Sequence, residues 1–152
     1  MNQTRWLLLG SALLAGAATV QADEKADPKK DAIKYRQAAM TLIGANFKPM
    51  GAMAKGDVPF NAQEFARRSR DVAAISAIDI LAGFPQDTDG DGSKAKPEIW
   101  MKWDDFKQKM GDMERAAAKL AEAAKGGDAA AIKKQFGETG KTCKACHDDY
   151  KE

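Results

Sequence analysis

The chain has 152 residues, 24 of them basic and 22 acidic, for a formal net charge of +2; this suits one domain of ordinary size and leaves no room for a second core. Basic and acidic residues are interleaved, and no Lys/Arg block interspersed with aromatics is available to track a phosphate backbone, so nucleic acid is not an expected partner. Ala, Lys, Met and Leu are abundant, Val is scarce and Gly gathers at a few sites, which favours helices over strands.

The first 22 residues read as a secretory leader. Arg5 precedes an apolar run over residues 6–18, and Val20-Gln21-Ala22 supplies small residues at the cleavage-determining positions. The run is too short for a retained membrane anchor. Cleavage after Ala22 leaves a mature chain of residues 23–152, exported to the periplasm and not inserted in a membrane. Loss of Arg5 brings it to 23 basic against 22 acidic residues, a balance that names no electrostatic partner.

Four helical segments follow. Asp27-Pro28 places a cap before a first-turn proline, opening a helix whose inward positions fall at Ile33, Gln37, Met40, Gly44, Phe47, Gly51 and Ala54. Pro49 cannot donate to Ala45, so it should kink or end this helix before the turn Gly56-Asp57-Val58-Pro59. Asn61 caps a second helix through Phe65, Val72, Ile75 and Ile78 towards Gly83 and Pro85. After a polar loop over residues 86–96, a third helix enters at Pro97 and carries Ile99, Trp103, Phe106, Met110, Met113, Ala117 and Leu120. Gly126-Gly127 ends it. Asp128 then caps a fourth helix with Ile132, Phe136, Thr139, Cys143, Cys146 and Tyr150 on one face. Such elements predict an all-α, antiparallel four-helix bundle.

The last helix carries the chemistry. Cys143-Lys144-Ala145-Cys146-His147 is the pattern for covalent haem attachment. Three residues apart on a helix, the two cysteines project from one face, one thiol towards each vinyl group, and His147 is turned so that its imidazole reaches the iron. A thioredoxin-like pair would sit near a helix start in a βαβ setting, and this one lies near a helix end. A structural disulfide would leave His147, the only histidine in the chain, without a role. With one histidine a bis-histidine iron is impossible within one chain, so the sixth position is methionine, lysine, water or empty.

An attachment motif at the end of a four-helix chain resembles the cytochrome c′ family, the class II c-type cytochromes. Three further stretches support the resemblance: Tyr35-Arg36-Gln37-Ala38-Ala39-Met40, Pro97-Glu98-Ile99-Trp100, and Phe136-Gly137 with Gly140 before Cys143. It covers essentially the whole mature chain. The resemblance implies one haem c bound through Cys143 and Cys146, with His147 as proximal iron ligand. It implies Arg36 and Gln37 at the haem propionates, with a further propionate contact near Ser93 or Lys94. It places Met40 on the distal side, over a five-coordinate iron in a dry pocket that admits nitric oxide and carbon monoxide. The rival reading makes Met40 the sixth ligand of a low-spin electron carrier. Many relatives have arginine four residues after the haem histidine; here Lys151 stands there. Trp100, Trp103 and Phe106 are read as core or pocket walls. Relatives are commonly homodimers built on the first two helices, so a homodimer is expected, together with an unidentified redox partner and no enzymatic activity.

A second pattern lies in the polar loop. Asp87, Asp89 and Asp91, with Gly92 and then Glu98 as the twelfth residue, satisfy the calcium-binding pattern of an EF-hand. Lys94 at the eighth position and Pro97 before Glu98 fit that pattern poorly, and a solvated acidic turn accounts for the same residues.

Overall fold

A computed structural model describes residues 27–90 and 92–152. The expected leader lies outside the described residues, among which no helix is long and apolar enough to cross a membrane. Helix α1 spans Pro28–Lys55, α2 Ala62–Ser76, α3 Glu98–Met101, α4 Trp103–Lys125 and α5 Ala129–Tyr150. The four long helices form the bundle: α2 packs on α1 and α4, and α4 packs on α5.

The caps are those the residue types dictate. Asp27 accepts from the amides of Lys29 and Lys30, Asn61 from Glu64, and Asp128 from Ala130 and Ala131. Gly56 closes α1 in the left-handed region at φ 87°, where a side chain would be strained.

Three expectations about the elements are corrected. First, of the two outcomes expected at Pro49 the ending does not occur: α1 runs through it to Lys55. The proline leaves the carbonyl of Ala45 without its helical donor, and Arg68 of α2 supplies one, its Nη1 lying 3.3 Å from that oxygen. Second, α2 stops at Ser76; Asp79 then caps a single 3-10 turn, Ile80–Gly83, and Ile78 is exposed. Third, the helix entered at Pro97 is two helices, because Lys102 breaks it with φ −124° and ψ 46°. The predicted stripe nevertheless survives the break, with Ile99, Phe106, Met110, Met113, Ala117 and Leu120 all buried.

The packed face of α1 also differs from the predicted one. Its buried residues are Ile33, Arg36, Ala39, Ile43, Met50 and Met53. The predicted stripe of Gln37, Met40, Gly44 and Phe47 instead lines a cavity between α1, α4 and α5. The solid core sits at the other end of the bundle, where Met50, Phe65, Ala117, Leu120 and Ile132 are fully buried. There α1 meets α5 through one stacked pair, Phe47 on Phe136, with ring centroids 4.3 Å apart. A Cβ at Gly51 would meet the Phe136 ring at 3.6 Å, an ordinary packing contact.

At the opposite end a loop and the C-terminus close together. The amide of Lys96 donates to the Tyr150 carbonyl at 3.0 Å and that of Glu152 to the Lys94 carbonyl at 3.0 Å, forming an antiparallel bridge between Ala95 and Lys151.

The role of Arg68 at the proline site is testable by a double-mutant cycle read by thermal unfolding. Arg68→Leu is expected to cost about 1 kcal/mol, a fall in Tm of about 3–5 °C. In a Pro49→Ala background, where residue 49 regains its N–H, the same change should cost clearly less. Equal costs in both backgrounds would show that the two residues are not coupled.

Candidate functional site

The cavity between α1, α4 and α5 has a volume of about 940 Å³, near the top of the range for small-molecule sites. The structure brings every predicted cofactor residue to its wall: Arg36, Gln37 and Met40 from α1, Lys94 from the loop, and Cys143, Cys146 and His147 from α5. Both cysteines are free thiols and half-buried. Burial raises the pKa of Cys143, and it pushes that of Cys146 up to about 11, so both are protonated at neutral pH. His147 is shifted the other way, first by burial and then by the nearby Lys151. Its imidazole is therefore neutral, with a lone pair available to a metal.

The wall facing α5 is apolar along its middle, between Gln37 and Lys48, which also line the cavity. Met40, Gly44 and Phe47 succeed one another along α1, as the steps of three and four dictate. The one hydroxyl among them, Thr41, donates back to the carbonyl of Gln37 at 2.7 Å and is not free to meet a ligand. Ile43, Phe106, Met110 and Met113 complete the lining from α1 and α4. Phe106 packs edge-on to Phe84 and Tyr150, with centroids 4.8 and 5.3 Å away. Tyr150 donates to the Asp105 carboxylate, and burial, joined by that hydrogen bond, drives its phenol pKa well up. Trp100 and Trp103 belong to the surrounding core instead of the cavity wall; the Trp100 indole N–H donates to the Phe84 carbonyl at 3.1 Å.

Arg36 holds the loop. It is 4% exposed, and its Nη1 donates to the Gly83 carbonyl and the Thr88 hydroxyl, both at 2.7 Å. Nη2 donates to the Thr88 carbonyl and, at 2.6 Å, to the Ser93 hydroxyl. The Phe84 ring lies 4.6 Å from the guanidinium carbon. Gln37 fixes the same loop through the Gly92 carbonyl at 3.1 Å. Sequence reasoning did not anticipate this clamp, and a buried threonine within an acidic loop left no signal for it.

The clamp also explains why the calcium expectation is not supported. Thr88 is drawn inward to Arg36, while Asp87 turns outward at φ 58° and pairs with Lys29 at 3.3 Å. Glu98 is exposed at the start of α3. Asp91 lies outside the described residues. Among those described, no three Asp, Glu, Cys or His side chains gather as a metal site.

A haem fits this cavity on the chemistry of its walls. Two reduced thiols share a helix face with the neutral imidazole. A planar apolar body would find apolar walls. Among the described residues no carboxylate hydrogen-bonds to the buried Arg36 guanidinium; burial lowers its pKa, offset only in part by the charge of Asp89. Such a cation gains from an anionic rim beside it.

The comparisons agree. Residues 31–151 match the family described as Cytochrome C'. Over 122 residues the chain is 43% identical to cytochrome c' from Rubrivivax gelatinosus, covering 80% of this chain and 95% of that protein. The solved cytochrome c prime from Shewanella frigidimarina superposes with a TM-score of 0.79 at 48% identity, covering 83% of this chain and 97% of that one. A nitric oxide complex of a point variant of cytochrome c prime from Alcaligenes xylosoxidans does so with a TM-score of 0.73 at 37% identity, covering 82% and 96%. The chain belongs to the cytochrome c′ family of haem proteins.

Proposed function

We propose that this protein is exported to the periplasm after cleavage at Ala22, carries one covalent haem c, and binds small uncharged gases, nitric oxide above all, while also passing single electrons. The observation that carries the reading is the composition of the cavity: two free thiols and the sole histidine on α5 face an α1 wall with no free hydrogen-bond donor at Met40, Gly44 or Phe47. Bound there, the haem supplies an iron that changes oxidation state and takes a small ligand on one face.

The chain's own residues do the rest. Cys143 and Cys146 tether the group as thioethers, and His147 offers its neutral imidazole to the iron. Arg36 and Gln37 hold the loop that closes the propionate edge, and Arg36, with Lys94 at the rim, balances the carboxylates. On the distal side Met40 restricts access. An apolar wall suits nitric oxide and carbon monoxide, which need no donor, and gives bound dioxygen nothing to lean on. The nitric oxide complex of the Alcaligenes xylosoxidans relative supports this choice of ligand. The rival reading, a low-spin electron carrier, rests on the thioether of Met40 on the cavity wall. A homodimer is part of the proposal: Tyr35 and Leu42, 40% and 53% exposed, stand two turns apart on α1, off the cavity wall.

Intact mass tests the attachment. After export in a host with haem-attaching machinery, the mature chain should begin at Asp23 and carry the mass of one haem. The Cys143→Ser/Cys146→Ser double variant should carry none. A wild-type mass equal to the polypeptide alone removes the proposal at its root.

Absorption spectra separate the two functional readings. The ferrous protein should be high-spin and change on adding carbon monoxide, and Met40→Ala should stay high-spin with faster association. Low-spin bands in the wild type that disappear in Met40→Ala would establish the rival.

For the dimer, light scattering on the wild type should give twice the protomer mass, and Leu42→Glu should give a monomer. A monomeric wild type overturns that element alone.

A further inference from the structure

Gly44 is a glycine that the polypeptide does not require. It lies in the interior of α1 and is not among the glycines with positive φ, so its backbone suits any residue. A Cβ built there would meet no atom within 4 Å. Glycine at a helix interior is less stable than alanine, and no steric demand of the chain repays the difference. Gly83 differs, since a Cβ added there would come within 2.8 Å of Arg36 Cβ. What Gly44 leaves open is a piece of the cavity wall.

The direction of helical side chains says which piece. In an α-helix, Cα–Cβ bonds tilt towards the N-terminus, so a residue covers the surface one turn before its own Cα. A side chain at 44 would cover the patch beside Met40, four residues earlier on the same face. By the same tilt Met40 covers the wall on the Gln37 side of that patch, so the two positions border each other.

We infer that Gly44 forms a recess on the distal wall next to Met40, which receives the small ligand and sets the rate at which it enters. This deepens the gas-binding reading and rests on it. The residue is a determinant of ligand access and touches neither the attachment site nor the loop.

The experiment uses the holoprotein: carbon monoxide association to the ferrous form by flash photolysis, in wild type, Gly44→Ala, Gly137→Ala and Met40→Ala/Gly44→Ala. Gly137 is the control, an exposed helix glycine on α5 with nothing within 4 Å of an added Cβ and no place on the cavity wall. Both single alanine variants should melt no lower than wild type. A methyl group filling an apolar pocket changes discrimination by about tenfold or more, so Gly44→Ala should slow association by about tenfold. Gly137→Ala should leave it unchanged, and shortening Met40 in the Gly44→Ala background should restore the rate. Unchanged kinetics in Gly44→Ala, or no recovery in the double variant, overturns the recess while leaving gas binding by the wild type intact. A wild type that binds no carbon monoxide overturns both.

Discussion

The fold depends on a helix face that the polypeptide does not cover. Along α5, Ile132 and Thr139 are buried against the bundle, yet Cys143 and Cys146 stay half-buried because α1 stands away from them. Two contacts fix that separation. At one end the stacked rings of Phe47 and Phe136 set the helix spacing. At the other, Arg36 gathers Gly83, Thr88 and Ser93, and the loop is then joined to the end of α5 by the Lys94, Lys96 and Tyr150 hydrogen bonds. Between these ties, distal and proximal walls face each other across a gap that their own side chains do not fill.

Much of this was legible because the relevant signals are local. Caps at Asp27, Asn61 and Asp128 follow from side-chain chemistry within three residues, and three-residue spacing puts Cys143 and Cys146 on one face. The α1 stripe shows where periodicity stops helping. Gln37, Met40, Gly44 and Phe47 have the right spacing for a face turned inward, but that face looks into the cavity while Ile33, Ala39 and Ile43 meet the core. A hydrophobic pattern reports which face avoids water, and a cofactor satisfies it as well as a neighbouring helix does.

The other misreadings share a cause, since each depends on a partner distant in sequence. Pro49 breaks a helix when its orphaned carbonyl stays unpaired, and here Arg68, from another helix, supplies the donor. The acidic loop has calcium-loop spacing, but spacing fixes only which residues are close along the chain. Their direction is set by Arg36, more than 50 residues away from Thr88, which pulls the backbone inward and turns Asp87 out towards Lys29. Only the Cys-Lys-Ala-Cys-His run is specific enough to name its chemistry without such partners.

Cys143 and Cys146 are half-buried and His147 is exposed, yet partial desolvation has opposite consequences for thiol and imidazole, and together they suit a covalent site. Desolvation holds the two thiols protonated and the imidazole neutral, so none of the three brings a charge into an apolar gap that has few means of solvating one. The compensating charge is kept at the rim, where the Arg36 guanidinium is desolvated and Lys94 is exposed. A bundle with such a gap lacks part of its core until the gap is filled, and reversible binding would make its stability vary with ligand concentration. The proposed anchoring through Cys143 and Cys146 would remove that dependence. It would leave the α1 wall, and not the strength of the attachment, as the part of the structure free to govern what reaches the iron.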